Sequence, residues 1–272
     1  MNVGGWSSPW NLFGFAVYYL LVPSVFIFSA GAAYRIVRML VRAKIPPAQR
    51  RRFSFGEAVK GLVMTFLRPI IFSITHKPDD FIAGLVLLHI LGVIPVLFLL
   101  SEHIAWWTYY FPPYKALWIF SVPLSITSSV LTVTAPVIPS STMSSTFVNT
   151  IWGPLVVLLN GDLLAIFVLV AIGYKCAARL VEILAKGNQA PYRLGDFVAY
   201  ALLFAIILSG YMAARHYPSS DVYMDVLGLH VLFAELLLIY LPFSKYWHFV
   251  FGYWYGKIHE WYDVDIKRGE AL

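Results

Sequence analysis

The chain has 272 residues, of which 60% are apolar and only 12% charged. A water-soluble domain of this length needs more polar surface, so the composition excludes a globular cytosolic protein and places most of the chain in a lipid bilayer. The formal net charge of +6 comes largely from Lys and Arg beside apolar segments, which is typical of membrane topology rather than of nucleic-acid binding. A single cysteine, Cys176, excludes a disulfide, or a metal site built on several thiolates of this chain.

Two apolar segments open the chain. Residues 10–41 predict a first span, and the basic residues at its end place that end in the cytoplasm and the N-terminus outside. No Lys or Arg precedes this segment, so a removable signal peptide is not expected. Residues 53–76 are interrupted by charges and a proline, and they predict a segment along the inner interface: the interrupting residues are Glu57, Lys60, Arg68 and Pro69.

Four further spans complete an all-α membrane protein, a five-transmembrane-helix bundle forming a single domain. They are predicted at residues 81–107, 152–179, 194–214 and 222–252. Residues 111–151 are rich in Ser, Thr and Pro and predict an outer cap.

The alternative to this cap is a sixth span at residues 116–137. Five spans leave only Lys115 and Arg215 of the 20 Lys and Arg outside. A sixth span would move four more basic residues there: Lys175, Arg179, Lys186 and Arg193. We therefore expect a cytoplasmic C-terminus and a multi-pass protein of the cell (plasma) membrane.

Four of the seven histidines are predicted at membrane depth, His89 and His103 on the second span and His230 and His248 on the fifth. His230 and His248 are eighteen residues apart, about five helical turns, and so share one face. His89 and His103 are fourteen apart and fall about 40° short of four turns. Because the two spans run antiparallel, His103 is expected to face His230 near the outer surface and His89 to face His248 near the inner one.

Facing imidazoles at two levels are the ligand set of bis-histidine haem b, so we expect two haems between helices 2 and 5. Interhelical hydrogen bonding by these histidines is the structural alternative. A His76–His89 ligand pair is disfavoured, because the two are about 140° out of phase on a helix and Pro78 lies between them.

The amino-acid sequence of the fifth span resembles that of a known family. It reads Leu-Gly-Leu-His230 and then Leu-Pro242-Phe243-Ser244-Lys245-Tyr-Trp-His248. This is similar to the cytochrome b (gamma) subunit of respiratory nitrate reductase and to related subunits of heterodisulfide reductase, sulfite-reductase-linked and hydrogenase-linked membrane complexes. Arg193-Leu-Gly-Asp196 at the start of the fourth span is a weaker likeness.

The resemblance implies a five-helix bundle with two haems, His230 at the outer and His248 at the inner one. It implies a respiratory subunit that passes electrons between membrane quinol or quinone and a peripheral iron–sulfur subunit, with a catalytic subunit on the inner face. Two departures stand out. The family spaces the two histidines of its second helix by ten, where this chain has Leu99, so His103 must substitute or only one haem remains. The outer segment 111–151 is also longer than expected.

Other polar residues suggest supporting roles. Glu102, beside His103, is a candidate acceptor for quinol protons, or an ordinary helix-end acid. Lys115 is a candidate partner of a quinone oxygen or haem propionate, or an interfacial lysine. Lys245 is a candidate partner of the inner haem propionate, or a positive-inside anchor. Glu235, within the fifth span, is expected to bond a neighbouring helix or relay protons rather than bind iron.

Two other functions remain open from sequence. A haem-poor anchor would tether a catalytic complex, such as a hydrogenase or reductase, without carrying electrons itself. A small transporter is disfavoured because the sequence has no visible inverted repeat.

Overall fold

A computed structural model describes residues 11–42, 54–124, 130–134, 142–146, 159–190, 192 and 194–244. Among these residues, five helices are long and apolar enough to cross a membrane: Leu12–Arg38, Phe81–Leu99, Gly161–Gln189, Phe197–Ala214 and Ser220–Phe243. The prediction of a mostly helical chain with five helices long and apolar enough to span a membrane is confirmed. The helix Phe55–His76, predicted at the inner interface, is not one of the five.

The described elements are mostly helices, with one pair of strands. Helices α1 (Leu12–Phe15) and α2 (Leu21–Arg42) are joined by the π-helical segment Ala16–Leu20. Then come α3 (Phe55–His76), a π-helix at Asp80–Val93 that continues into α4 (Ile94–Leu99), α5 (Ser101–Tyr110) and a 3₁₀-helix at Pro112–Phe120. The later elements are the antiparallel pair β1 (Val130–Thr134) and β2 (Thr142–Thr146), then α6 (Gly161–Lys186), α7 (Phe197–Ala214), α8 (Tyr223–Tyr240) and a 3₁₀-turn at Leu241–Phe243.

The second span differs from its prediction. The single helix expected over residues 81–107 is divided at Leu100, whose backbone is extended with φ −61° and ψ 133°. Its first part is bonded in a π pattern, in which each N–H bonds five residues back instead of four. The phase relation predicted between His89 and His103 is therefore wrong, because it assumed one continuous α-helix.

The ends of the third and fifth spans also differ. The third helix begins at Gly161 rather than near Trp152, and the Asn160 side chain caps it by accepting from the Leu163 N–H at 3.0 Å. Helix α8 ends at Tyr240, and after the 3₁₀-turn Ser244 is extended. The five continuous turns predicted between His230 and His248 are thus interrupted, while Lys245 and His248 themselves lie outside the described residues.

The predicted outer cap is described in three parts. They are the 3₁₀-helix Pro112–Phe120 with the four residues after it, the β1–β2 pair, and residues 159–160 ahead of α6. The sixth span considered at residues 116–137 is not among the membrane-length helices of the described chain. Residues 125–129, 135–141 and 147–158 of the cap lie outside the described part.

The chain divides into two compact units, of which the first comprises Met1–Tyr18 and Asp79–Phe233. Its core is built on α6, which packs against the π-helix Asp80–Val93 and against α7. Leu164, Val168 and Ile172 are almost fully buried and recur every four residues, so they form one apolar stripe of α6. This unit contains the described candidate site.

The second unit comprises Tyr19–Pro78 and Ala234–Leu272. In its described part, α2 lies against the 3₁₀-turn Leu241–Phe243. The Arg35 guanidinium donates to the Ser244 carbonyl oxygen at 3.0 Å. Gly31 faces Pro242 so closely that a Cβ at Gly31 would lie 2.7 Å from the Pro242 Cβ. The small residue thus lets the turn lie directly on α2.

Candidate functional site

The break at Leu100 determines where His103 lies. Where a helix ends, its last four carbonyl groups lose their helical partners and need others. Here residues after the break bind all four carbonyl oxygens. His103 Nδ1 lies 2.6 Å from the Val96 oxygen, and Trp107 Nε1 donates to the Leu97 oxygen at 3.3 Å. The Tyr114 hydroxyl donates to the Phe98 oxygen at 2.9 Å, and the Val122 N–H donates to the Leu99 oxygen at 2.8 Å. Helix α5 is therefore held back against the end of α4.

The His103 ring is oriented by its bond to Val96. A carbonyl oxygen only accepts, so Nδ1 must carry the hydrogen and Nε2 carries the lone pair. Burial and then the neighbouring His230 lower the pKa of His103 to about 4, so the ring is neutral at neutral pH. A neutral imidazole with its other nitrogen fixed by a carbonyl is the form in which histidine binds metals.

His230 on α8 is oriented in the same way by a different helix. Its Nδ1 lies 2.8 Å from the Ile206 carbonyl oxygen of α7, so this ring also carries its lone pair on Nε2. Gly210, one turn further along α7, makes room for the ring. A Cβ at Gly210 would lie 2.8 Å from the His230 Cε1 and 2.9 Å from its Nδ1.

The structure brings the His103 and His230 rings together. Their centroids are 6.0 Å apart and their planes are within 10° of parallel. Two imidazoles bound on opposite sides of one metal ion, through nitrogens about 2 Å from it, have centroids about 6 Å apart. The pair has this spacing, but the two rings are stacked, whereas two ligands of one iron point their nitrogens at a shared centre. The role of His103 and His230 as iron ligands therefore stays a prediction.

The donor set also limits which group could bind here. In the described part of the chain, no group of three or more His, Cys, Asp or Glu is placed to hold a metal ion. A haem brings its own ring nitrogens, so it would need no more than two imidazoles from this chain.

Glu102 lies beside His103 on the first turn of α5. The Ser101 hydroxyl donates to its Oε2 at 2.5 Å. Burial raises the pKa of Glu102, an effect that this hydroxyl and a backbone N–H oppose. Tyr223 lies within electrostatic range of Glu102 and packs against the ring of the exposed His216 at a centroid distance of 4.5 Å. Glu102, Tyr223 and His216 are thus three protonatable groups in this part of the unit, of which His216 is exposed.

The inner pair predicted from sequence is only partly described. His89 lies on the π-helix, with Nδ1 2.5 Å from the Gly84 carbonyl oxygen. The ammonium group of Lys175 lies over the same glycine, 3.2 Å from the position a Cβ would take. His248 and Lys245, the predicted partners at this level, lie outside the described residues.

Lys115 is exposed on the 3₁₀-helix Pro112–Phe120. Its predicted contact with quinone or propionate stays a prediction. Arg215, the other cation predicted outside, is paired with Asp162 at the start of α6, through Nε to Oδ1 at 2.9 Å and through Nη2 to Oδ2. The charge of Arg215 is therefore partly neutralised by Asp162.

Several residues of the site were missed from sequence. Gly210, Tyr223, His216 and Lys175 carried no motif, because their roles depend on which helices lie side by side. The break at Leu100 has no turn-forming residue at that position to signal it.

No protein-family model matches the chain, and no curated protein or solved structure is significantly similar to it.

Proposed function

We propose that the chain is a di-haem cytochrome b membrane subunit of a respiratory oxidoreductase complex. It transfers electrons between membrane quinol or quinone and a peripheral iron–sulfur subunit, which is linked to a catalytic subunit on the inner face. The observation that supports this most directly is the His103–His230 pair, two near-parallel rings 6.0 Å apart whose Nδ1 atoms each face a backbone carbonyl.

His103 and His230 would hold the outer haem, and His89 with His248 the inner one, where Lys245 would pair with a propionate. Haem, when bound, supplies a one-electron carrier in a medium of low polarity. The carbonyls of Val96 and Ile206 fix the orientation of the outer rings, and Gly210 keeps the space that the His230 ring occupies. The likeness of the fifth span to the nitrate reductase gamma family supports the same proposal.

Quinol oxidation yields quinone, two protons and two electrons, so an acceptor for protons is needed beside the electron acceptor. Glu102 adjoins His103 and would accept a proton from a quinol hydroxyl in its ionised form. Tyr223 and the exposed His216 would then pass that proton outward. Lys115 would bind a quinone oxygen from the 3₁₀-helix.

We place the chain in the cell (plasma) membrane, and the distribution of basic residues supports an N-terminus outside and a C-terminus in the cytoplasm. Five apolar helices support a multi-pass protein. The aromatic C-terminal region would then lie on the side where the iron–sulfur partner docks.

Haem content per chain tests the proposal. The purified protein is expected to bind two haems with sharp α bands on reduction, and His103→Ala and His230→Ala are each expected to bind one. His76→Ala, which changes an exposed histidine of α3, serves as the control and should keep both. Full haem content in His103→Ala would exclude the His103–His230 pairing but not the proposed family. A folded wild-type chain without haem would favour the alternative function, a membrane anchor.

A further inference from the structure

Glu235 is a buried acid without a hydrogen-bond partner in the part of the chain that the structure describes. It lies on α8, in the part of that helix that belongs to the second unit, and only 3% of its surface is exposed. Neither carboxyl oxygen has a hydrogen-bond partner among the described residues. Buried polar side chains in folded proteins are nearly always hydrogen-bonded, so an orphaned acid calls for an explanation.

The face on which Glu235 lies can be located from Pro242. Pro242 contacts Gly31 of α2, and Glu235 precedes it by seven residues, about two helical turns, so it lies near the same face of the chain. Seven residues before Gly31 on α2 is Ser24, which is fully buried. Because Arg35 and Ser244 are bonded further on, α2 and this segment run in the same direction. Ser24 therefore lies at about the height of Glu235.

No fixed charge in the described part of this unit compensates an ionised Glu235. Residues 19–34 contain no Asp, Glu, Lys, Arg or His, and their titratable side chains are Tyr19 and Tyr34. Arg35, the first cation beyond them, donates to the Ser244 carbonyl. The Ser24 hydroxyl donates to the Leu21 carbonyl at 2.8 Å. On the same segment as Glu235 only Tyr240 is titratable, and on α3 the charged or titratable side chains that are described, Lys60 and His76, are exposed.

We propose that Glu235 is a proton-binding site within the membrane, a carboxyl group that carries a proton at neutral pH and exchanges it. An ionised carboxylate that is removed from water, without a donor or a cation, is strongly disfavoured relative to the neutral acid. A neutral carboxyl group needs no counter-charge and can take up or release one proton without rearranging the helices. This inference does not depend on haem, so it can fail or hold independently of the cytochrome proposal.

Infrared spectroscopy of the full chain in zwitterionic lipid vesicles tests the site. At neutral pH the wild type is expected to show the carbonyl band of a protonated carboxylic acid, which shifts in deuterium oxide. The Glu235 contribution to this band should be lost in Glu235→Gln, and the band should disappear from wild type at strongly alkaline pH. Glu182→Gln, which removes an acid paired with Lys186, should keep it. Glu102→Gln serves as a second control, because Glu102 is the other acid that burial favours in the neutral form.

Three outcomes would overturn the proposal. One is a Glu235→Gln spectrum that keeps the acid band at its full wild-type intensity and instead loses intensity from the ionised carboxylate band. Another is disappearance of the band when sodium or potassium is added at neutral pH, which would define a cation site. If Glu235→Gln does not fold, Glu235→Asp replaces it, and an acid band that does not move in that variant would likewise exclude Glu235 as its source.

Discussion

His103 and His230 lie with their ring centroids 6.0 Å apart and their planes within 10° of parallel, and each Nδ1 faces a carbonyl from outside its own helix. Val96 of α4 fixes one ring and Ile206 of α7 fixes the other. Four helices of one compact unit therefore define the position of two side chains. Such support sets ring orientation before any ligand binds, which is the usual arrangement around a metal-binding histidine.

Gly210→Ala tests the space beside His230. The new methyl group would lie 2.8 Å from the His230 Cε1, so the ring must move and the variant is expected to lose about 1–3 kcal/mol of stability. Haem content should fall toward that of His230→Ala. Gly173→Ala is the matched control, because a Cβ at Gly173 meets nothing within 4 Å, and it should gain up to about 1 kcal/mol from helix propensity. Equal behaviour of the two variants in thermal unfolding and haem assays would contradict the steric argument.

Tyr114→Phe tests the support of the break at Leu100. It removes the hydroxyl that donates to the Phe98 carbonyl at 2.9 Å, and the expected cost is about 0.5–1.5 kcal/mol. Tyr109→Phe removes an equal hydroxyl from a side chain that is 51% exposed and should leave the unfolding temperature unchanged. A Tyr114→Phe protein as stable as Tyr109→Phe would show that this bond contributes nothing to the turn.

Glu102 should make stability fall as pH rises. Because burial raises its pKa, the folded protein binds the Glu102 proton more tightly than the unfolded chain does. The resulting stabilisation is complete below the ordinary glutamate value of 4.5 and is lost as pH rises from there through the raised value. Thermal unfolding across this range should show a decline in wild type that is smaller in Glu102→Gln. If the stability of wild type and of Glu102→Gln declined equally across this pH range, the result would contradict this prediction.

Ser101→Ala should raise the pKa of Glu102 further above its ordinary value. The Ser101 hydroxyl stabilises the ionised form of Glu102 and so opposes the rise in its pKa. Without it, quinol oxidation that needs ionised Glu102 should reach half its maximum at higher pH. A pH–rate profile of Ser101→Ala that coincides with wild type would separate Ser101 from the proposed proton acceptor.

Arg215→Ala should have a small effect on stability. The Arg215–Asp162 pair joins the loop after α7 to the start of α6, but the arginine side chain is 50% exposed. Exposed ion pairs contribute at most about 1 kcal/mol, and salt screens them. The difference in unfolding temperature between wild type and Arg215→Ala should shrink in high salt. A large difference that salt does not change would mean that the pair is structurally essential.

The sequence predicted the number of spans but not their local winding. Apolar length and the distribution of Lys and Arg were sufficient for five helices, because the bilayer imposes a minimum length on each. They carried no information on the π-helix at Asp80–Val93, the break at Leu100 or the end of α8 at Tyr240. These features depend on contacts between elements far apart in the chain.

The structure brings His103 and His230 together as predicted, but for a different physical reason. His103 and His230 were paired by counting turns on a continuous second helix, which the structure does not contain. The rings approach each other because α5 is held back against α4 through the bonds from His103, Trp107 and Tyr114. Gly210, Tyr223 and His216 could not be found by spacing, since they come from α7, α8 and the loop between these helices.

The extended residue at position 100 has a consequence for comparing this chain with others. Once a transmembrane segment doubles back, the count of residues between two histidines no longer measures their difference in depth. A search that demands a fixed interval between ligands on one rod-like helix would pass over such a chain. Relatives are better sought by the depth at which each histidine ring lies than by the number of residues between the histidines.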